Sequence, residues 1–185
     1  MKTSFYTPEE LAQLGFKSYG ENVRISRYAQ IYSPEKISIG DNVRIDDFCI
    51  LSGNITIGSH IHIAAYCALY GGDYGIELKD YTGLSARVTI YSAIDDFSGE
   101  YLIGPIHDSK LTNVTGGKVL LNKYSQVGVG SLIFPNVQIG EGAVLGAMSL
   151  AKNDLNAWTI NAGIPSRCIK NRKNTLLNYI PSNDE

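Results

Sequence analysis

A period of six residues constrains this chain more than any other feature. Ile31, Ile37, Val43, Cys49, Ile55, Ile61 and Cys67 recur at that interval. After all but the first, an aliphatic partner follows two residues later: Ile39, Ile45, Leu51, Ile57, Ile63 and Leu69. The frame slips by three at Gly71-Gly72-Asp73-Tyr74-Gly75 and resumes as Ile76/Leu78, Thr82/Leu84 and Val88/Ile90. After an interruption it returns at Val119/Leu121, Ser125/Val127, Ser131/Ile133, Val137/Ile139 and Ala143/Leu145. Six matches neither the helical period nor a long flat strand. It describes a short strand with two inward side chains, a corner, and another short strand. Three such units close a triangular coil, and coils stack into a parallel β-helix. The repeats amount to about six coils of about eighteen residues, a prism roughly 29 Å long at about 4.8 Å per stacked strand.

A chain of 185 residues suits one domain, spanning 1–185. Residues 1–19 are predicted to form a helical cap. Thr7 caps, Pro8 suits the first turn, Glu10 completes a capping box, and the helix runs to about Leu14 with Gly15 as its stop. Coils are expected over 20–94 and 119–160, with Gly40, Gly58, Gly128, Gly130, Gly140 and Gly146 at corners where a positive φ suits glycine. Residues 95–118 break the pattern and read as an inserted loop, which at that length is functional or disordered. Residues 161–185 form a tail, with a turn at Gly163-Ile164-Pro165, the basic residues Arg167, Lys170, Arg172 and Lys173, and a short closing helix over 174–180.

A formal net charge of −2 supplies no basic field to recruit nucleic acid or anionic lipid. No apolar run reaches membrane-spanning length, so no integral membrane segment is expected. The start, Met1-Lys2-Thr3-Ser4, lacks a signal-peptide apolar region, and a cytoplasmic location is the expectation. Cys49 and Cys67 lie one coil apart and are expected to stack as buried, reduced thiols. Cys168 shows no metal-ligand spacing, and no metal site is expected.

Alternation along a strand turns His60 and His62 outward if Ile61 and Ile63 point inward. An outward imidazole is either a solvated surface group or a general base able to take a proton from an attacking nucleophile. His107, beside Asp108 in the long loop, is the other candidate base. Asp95 and Asp96 mark the corner where the loop departs; they either form a turn or orient an imidazole and bind sugar hydroxyls. Arg167, Lys170 and Arg172 are either solvated or hold phosphates through charge-assisted hydrogen bonds. Tyr66, Tyr70, Tyr74 and Tyr91 offer rings on which a sugar could stack.

Ile39-Gly40-Asp41-Asn42-Val43-Arg44 and Ile139-Gly140-Glu141-Gly142-Ala143-Val144 resemble the hexapeptide repeat of the bacterial hexapeptide acyltransferases. The run 137–149 resembles that family's last coils, and Ala162-Gly163-Ile164-Pro165-Ser166-Arg167 is similar to the ending of galactoside- and maltose-type sugar O-acetyltransferases. Residues 91–99 resemble a subgroup that modifies sugars of surface polysaccharide and lipopolysaccharide. The resemblance covers roughly residues 20–172. It implies a left-handed parallel β-helix, a homotrimer, and acetyl-CoA in a cleft between adjacent prisms, with an interfacial histidine as base and no metal. It places Ala147 beside the pantetheine arm with Lys152 and Asn153 nearby, Val129 and Gly146 along the same channel through backbone groups, and Arg167 and Lys170 at the coenzyme phosphates. Galactoside-type members carry their histidine at a place that falls, by count, near Asp95-Asp96, where this chain has none. The base is then His62 or His107, with His62 favoured because a rigid wall positions an imidazole better than a loop. Lys152 and Asn153 also depart from the family's usual order of a small polar residue followed by lysine.

The leading expectation is acetyl transfer to a hydroxyl of a sugar or nucleotide-linked sugar, in surface-polysaccharide biosynthesis. Transfer is direct, with histidine removing the hydroxyl proton and backbone N–H groups holding the oxyanion. The nearest alternative is N-acetylation of a nucleotide-linked amino sugar, which needs less base catalysis. Two other classes are a zinc carbonic anhydrase of this fold, whose ligand spacing the histidines do not match, and a structural β-helix without catalysis.

Overall fold

In the computed structural model, which describes residues 4–181, the chain winds as a three-walled parallel β-helix. Residues 1–3 of the expected cap and 182–185 of the expected tail lie outside the described residues. The first wall stacks Arg24–Ile25, Arg44–Ile45, His62–Ile63, Gly83–Leu84, Gln126–Val127, Val144–Leu145 and Thr159–Gly163, each parallel to the next. The second wall stacks Gln30–Tyr32, the start of Ile50–Ile57, the start of Ala68–Leu78, Thr89–Tyr91, Leu132–Ile133 and Leu150–Ala151. The third holds Ser18–Tyr19, Ile37–Ile39, the ends of the same two long strands, Val119–Leu121 and Gln138–Ile139. The two long strands turn the corner between walls, so the second and third walls form one ten-stranded sheet.

The six-residue rhythm becomes three buried columns. Ile45, Ile63, Leu84, Val127 and Leu145 lie one above another, as do Leu51, Leu69, Ile90 and Ile133, and Ile39, Ile57, Leu78, Leu121 and Ile139. Each aliphatic chain withdrawn from water contributes roughly 1.5–3 kcal/mol before entropy is set against it. Cys49 and Cys67 are buried free thiols, donating to the carbonyls of Ala64 at 3.2 Å and Ser85 at 3.1 Å.

Seven turns are present where the period predicts about six. The first and last coils depart from eighteen residues: Arg24 pairs with Arg44, and Val144 with Ile160. The cap helix spans Pro8–Ala12, short of the expected Leu14, because the chain turns at Gln13, and Gly15 adopts φ +77°. Its capping box is formed: Glu10 N–H donates to Thr7 Oγ1, and Thr7 N–H donates to Glu10 Oε2 at 2.7 Å. Arg27 then pins the cap by pairing with Glu10 and the Phe5 carbonyl. Residues 95–118 are more ordered than a bare loop. Ala93–Asp95 and Val114–Gly116 pair antiparallel as a stem, and a short 3-10 turn, Ser109–Leu111, lies beyond it. At the other end Thr159–Gly163 and Ser166–Asn171 form a hairpin, and the closing 3-10 helix spans Thr175–Tyr179. Among the described residues no helix is long and apolar enough to cross a membrane.

The corner glycines serve a purpose other than the expected one. Of the six, only Gly130 has positive φ; elsewhere the left-handed place lies two residues on, at Asn42, His60, Gly142 and Met148. Gly40, Gly58, Gly128 and Gly140 are glycines because successive coils touch there. A Cβ on Gly128 would lie 2.4 Å from the Ala147 nitrogen, and one on Gly140 2.5 Å from the Ala157 nitrogen. Gly83 is the opposite case, with nothing within 4 Å of a Cβ. Gly140→Ala is therefore expected to cost about 1–3 kcal/mol through overpacking and to lower the melting temperature by about 3–10 °C. Gly83→Ala should leave it within about 2 °C of wild type, so thermal unfolding of the pair separates backbone contact from generic glycine loss.

Candidate active site

The end of the stem strand Ala93–Asp95 separates the adjacent acids Asp95 and Asp96. Asp95 ends the outgoing stem strand opposite Val114, and Tyr91, Ile94, Phe97, Val114, Leu132 and Phe134 surround it in a cleft of about 510 Å³. Its Oδ1 accepts from Gly104 N–H at 3.3 Å, which ties the far side of the loop to the stem. Asp96 faces the loop instead, accepting from the Ser98 hydroxyl at 2.6 Å and the Ser98 N–H at 2.9 Å. Those bonds hold its carboxyl below the usual range and commit it to the turn. The cleft is thus an apolar, aromatic chamber with one carboxylate. Tyr70 stacks on Tyr91 at its base, ring centroids 4.9 Å apart, and Lys152 Nζ stands 5.7 Å over the Phe134 ring at its rim.

The histidines do not enter this cleft from their own prism. His62 lies exposed on the first wall, its Nε2 2.8 Å from Asp46 Oδ2, while Arg44 Nε donates to Asp46 Oδ1 at 2.7 Å. Burial pushes the Asp46 carboxyl up, but the bonds from His62 and Arg44 outweigh it and hold the group below its ordinary range. His60 sits at a corner, stacked on Tyr81 with centroids 4.6 Å apart. His107 is exposed beyond the stem, with no hydrogen bond from its ring among the described residues. The three imidazoles therefore do not gather in one chain, and no group of three or more metal-ligating side chains occurs among the described residues.

The residues expected to meet coenzyme fall in two places. Val129, Gly146 and Ala147 lie at the corner between the first and second walls. Their backbone is fixed there: the Ser131 hydroxyl donates to the Gly146 carbonyl at 2.7 Å, and the Ser149 hydroxyl to the Ala147 carbonyl at 3.0 Å. Arg167, paired with Ala162, and Lys170 are exposed on the returning strand beside that corner. Lys152 and Asn153 stand beyond the other edge of the second wall. Arg172 is not a free phosphate ligand. It donates to the carbonyls of Tyr124 and Gly142, both at 2.9 Å, which pins the C-terminal segment to the first wall.

Ser85, Phe97, Phe134 and the notch at Gly83 lie outside the sequence expectations. The outward phase of the repeat marks Gly83 and Ser85, but only the three-dimensional arrangement shows that no side chain fills the notch.

A family model described as bacterial transferase hexapeptide (six repeats) matches residues 36–71. The chain is 44% identical over 171 residues to dTDP-4-amino-4,6-dideoxy-D-glucose acyltransferase from Escherichia coli, covering 91% of this chain and 88% of that one. It is also similar to AntD, an N-acyltransferase from Bacillus cereus. A serine-to-alanine variant of AntD in complex with dTDP-4-amino-4,6-dideoxyglucose and coenzyme A matches with 54% identity, a TM-score of 0.95, and 96% of both chains covered. AntD in complex with dTDP and 3-hydroxybutyryl-CoA matches with 55% identity, a TM-score of 0.95, and 96% and 95% covered. AntD has been crystallised with substitutions at one aspartate and one serine, ten positions apart.

The Asp46 network has a pH signature. A carboxyl held low in the folded state stabilises the fold above its unfolded pKa, near ~4, and that contribution disappears as pH falls through the folded value. Asp46→Asn is expected to lower the melting temperature at pH 7, with the gap to wild type closing below pH of about 3. A gap that stays constant from neutral to acidic pH would contradict it.

Proposed function

The chain belongs to the bacterial hexapeptide-repeat acyltransferases, and from that premise we propose that it transfers an acyl group from acyl-coenzyme A to the 4-amino group of a dTDP-linked 4-amino-4,6-dideoxyhexose. The observation that carries this reading is the similarity, over nearly the whole chain, to AntD crystallised with that nucleotide sugar and coenzyme A. The expected O-acetylation gives way to its N-acylating alternative. The cleft supports the change: aromatic and aliphatic side chains suit a sugar lacking the 6-hydroxyl, and the lone carboxylate of Asp95 suits an amine. This chain also has a serine and an aspartate ten positions apart, Ser85 and Asp95, each one number higher than the substituted pair of AntD.

In the proposed reaction the neutral amine attacks the thioester carbonyl, a tetrahedral oxyanion forms, and its collapse expels the coenzyme thiolate. The nitrogen proton passes to Asp95 and on to the thiolate, giving an amide and free thiol. An amine needs less activation than a hydroxyl, so no imidazole is required in the cleft. His62 then serves the Asp46 network, and His107 has no catalytic part. Val129, Gly146, Ala147, Arg167 and Lys170 are proposed to line one side of the coenzyme path, with Lys152 and Asn153 supplied by a neighbouring prism. The 3-hydroxybutyryl-CoA complex of AntD argues for testing acyl groups larger than acetyl. The product is a nucleotide-linked N-acyl amino sugar, a donor suited to surface-polysaccharide assembly, and a cytoplasmic setting is proposed for the reaction.

A homotrimer is proposed for the same reasons. Ser85 precedes the second-wall strand Thr89–Tyr91 and Asp95 follows it, so the two lie at opposite edges of that wall, and a ligand reaching both would lie between prisms. The corner beside Ser85 also exposes a ladder of Tyr28, Phe48 and Tyr66, with centroids 5.8 and 5.0 Å apart, and Met148 further along. Arg87 stands over the Tyr66 ring at 5.7 Å and separates Met148 from the ladder, so the exposed aromatic stretch Tyr28–Phe48–Tyr66 is the part proposed as a contact.

Two measurements test these statements. In a thiol-release assay with dTDP-4-amino-4,6-dideoxyglucose, Asp95→Asn should lose about 10²-fold or more in kcat, whereas His62→Ala and His107→Ala stay within about threefold of wild type. Equal rates with the 4-hydroxy sugar would refute the N-acyl reading. In sedimentation equilibrium the wild type should show three times the chain mass, and Phe48→Glu should shift the population toward monomer; a monomeric wild type would refute the shared site.

A further inference from the structure

Gly83 has neither of the usual reasons to be glycine. Its φ is not positive, and a Cβ there would meet nothing within 4 Å. It belongs to the outward column of the first wall, between His62 below and Gln126 above. The missing side chain opens a notch about 10 Å tall, two strand spacings. The notch continues into a cavity of about 350 Å³ lined by Tyr81, Tyr124, Gln126, Arg172, Leu176 and Tyr179.

Its walls are built rather than incidental. Tyr81 and Tyr124 are stacked, with ring centroids 5.5 Å apart, inside a ladder that runs from His60 to Trp158. On the other side, Arg172 bonds two carbonyls of that corner, and its own N–H donates to the Trp158 carbonyl at 2.7 Å. These bonds hold the start of the C-terminal segment, whose 3-10 turn carries Leu176 and Tyr179, against the wall. Two groups remain uncommitted. The Gln126 carboxamide makes no hydrogen bond among the described residues, and the Tyr179 ring is 85% exposed.

We propose that this notch is a nucleobase site, with the ring edge-on to Gly83, the Gln126 carboxamide reading one polar edge, and Tyr179 covering a face. A carboxamide presents a donor and an acceptor side by side, which matches the imide edge of a pyrimidine or the amino-imine edge of adenine. A flat slot with aromatic sides and few polar groups suits such a ring and excludes a charged or branched one. The assignment rests on the nucleotide-sugar reading above. Two sources then exist, the thymine of the sugar nucleotide and the adenine of coenzyme A. Geometry favours thymine. Tyr81 and Ser85 are four residues apart along one wall, about 13 Å, comparable to the span from base to hexose in a nucleoside diphosphate sugar and shorter than the reach from adenine to thioester in coenzyme A.

Titration calorimetry on the full chain, with dTDP and coenzyme A as separate ligands, tests this in wild type, Gly83→Val and Gln126→Leu. The valine fills the notch, and the leucine removes the reading group while leaving the glycine in place. The expected result is dTDP affinity about tenfold lower in both variants, coenzyme A affinity within about twofold of wild type, and melting temperatures unchanged. Loss confined to coenzyme A would overturn the thymine assignment in favour of adenine. Unchanged affinity for both ligands in both variants would overturn the site. Failure of wild type to bind dTDP would instead overturn the nucleotide-sugar reading on which the site rests.

Discussion

Everything in this fold depends on the backbone of one coil lying directly on the next. In-register parallel pairing sets the coils about 4.8 Å apart, and the inward side chains must then fill a triangular interior of constant width. That is why the inward columns are aliphatic over coil after coil. It is also why Gly128 and Gly140 tolerate no Cβ: their space is occupied by the backbone at Ala147 and Ala157. The same stacking lets a long segment leave without harm. The chain departs after Thr89–Tyr91, and Val119 resumes in register with Ile76. Because the stem pairs with itself, the ladder closes on both sides of the gap.

The period was sufficient to read the walls and the inward columns, since each inward pair is a local statement about two residues. It was insufficient at the ends, where coil length changes, because the closing elements there answer to the cap and the hairpin. The corner glycines show a different limit. Sequence spacing marks where the chain turns, but whether a glycine is needed for φ or for contact depends on the coil above it, a neighbour some eighteen residues away. Asp95 and Asp96 are indistinguishable by composition and neighbourhood, and the end of the stem strand falls between them, leaving one in the cleft and the other in a turn on Ser98. His62 illustrates the converse. Its outward direction follows from the repeat, yet its partner Asp46 comes from the coil below and commits it to an ionic network.

That commitment bears on the choice of nucleophile. A hydroxyl has to be deprotonated as it attacks, which calls for a base of pKa near neutrality in contact with it. The aromatic cleft offers instead a carboxylate, too weak a base to serve a sugar hydroxyl well but suited to an amine, whose lone pair is available once one proton is lost. The apolar lining works in the same direction, since desolvation would disfavour the ammonium form of an amine placed there and raise its neutral fraction. An aspartate in contact with that nitrogen must balance two demands. It has to attract the cation for binding, and it has to accept a proton once the carbonyl carbon is engaged.

The candidate site residues fall at two separate places on the prism. Gly83, Ser85, Val129, Gly146 and Ala147 belong to the first wall and its corner with the second; Asp95, Phe134 and Lys152 belong to the far edge of the second. A rigid wall separates the two groups, and no rotation of side chains bridges it. In the proposed assembly each group supplies half of a cleft: one the notch at Gly83 and the corner of Gly146 and Ala147, the other the carboxylate of Asp95 and the Phe134 ring. Two prisms packed with these edges facing one another would bring the halves together, and the closed threefold repetition proposed above would do so three times while leaving no half unused. In the proposed trimer the corner ladder and the cleft become one design problem, since a contact that buried Phe48 and Tyr66 would also set the distance between amine and thioester.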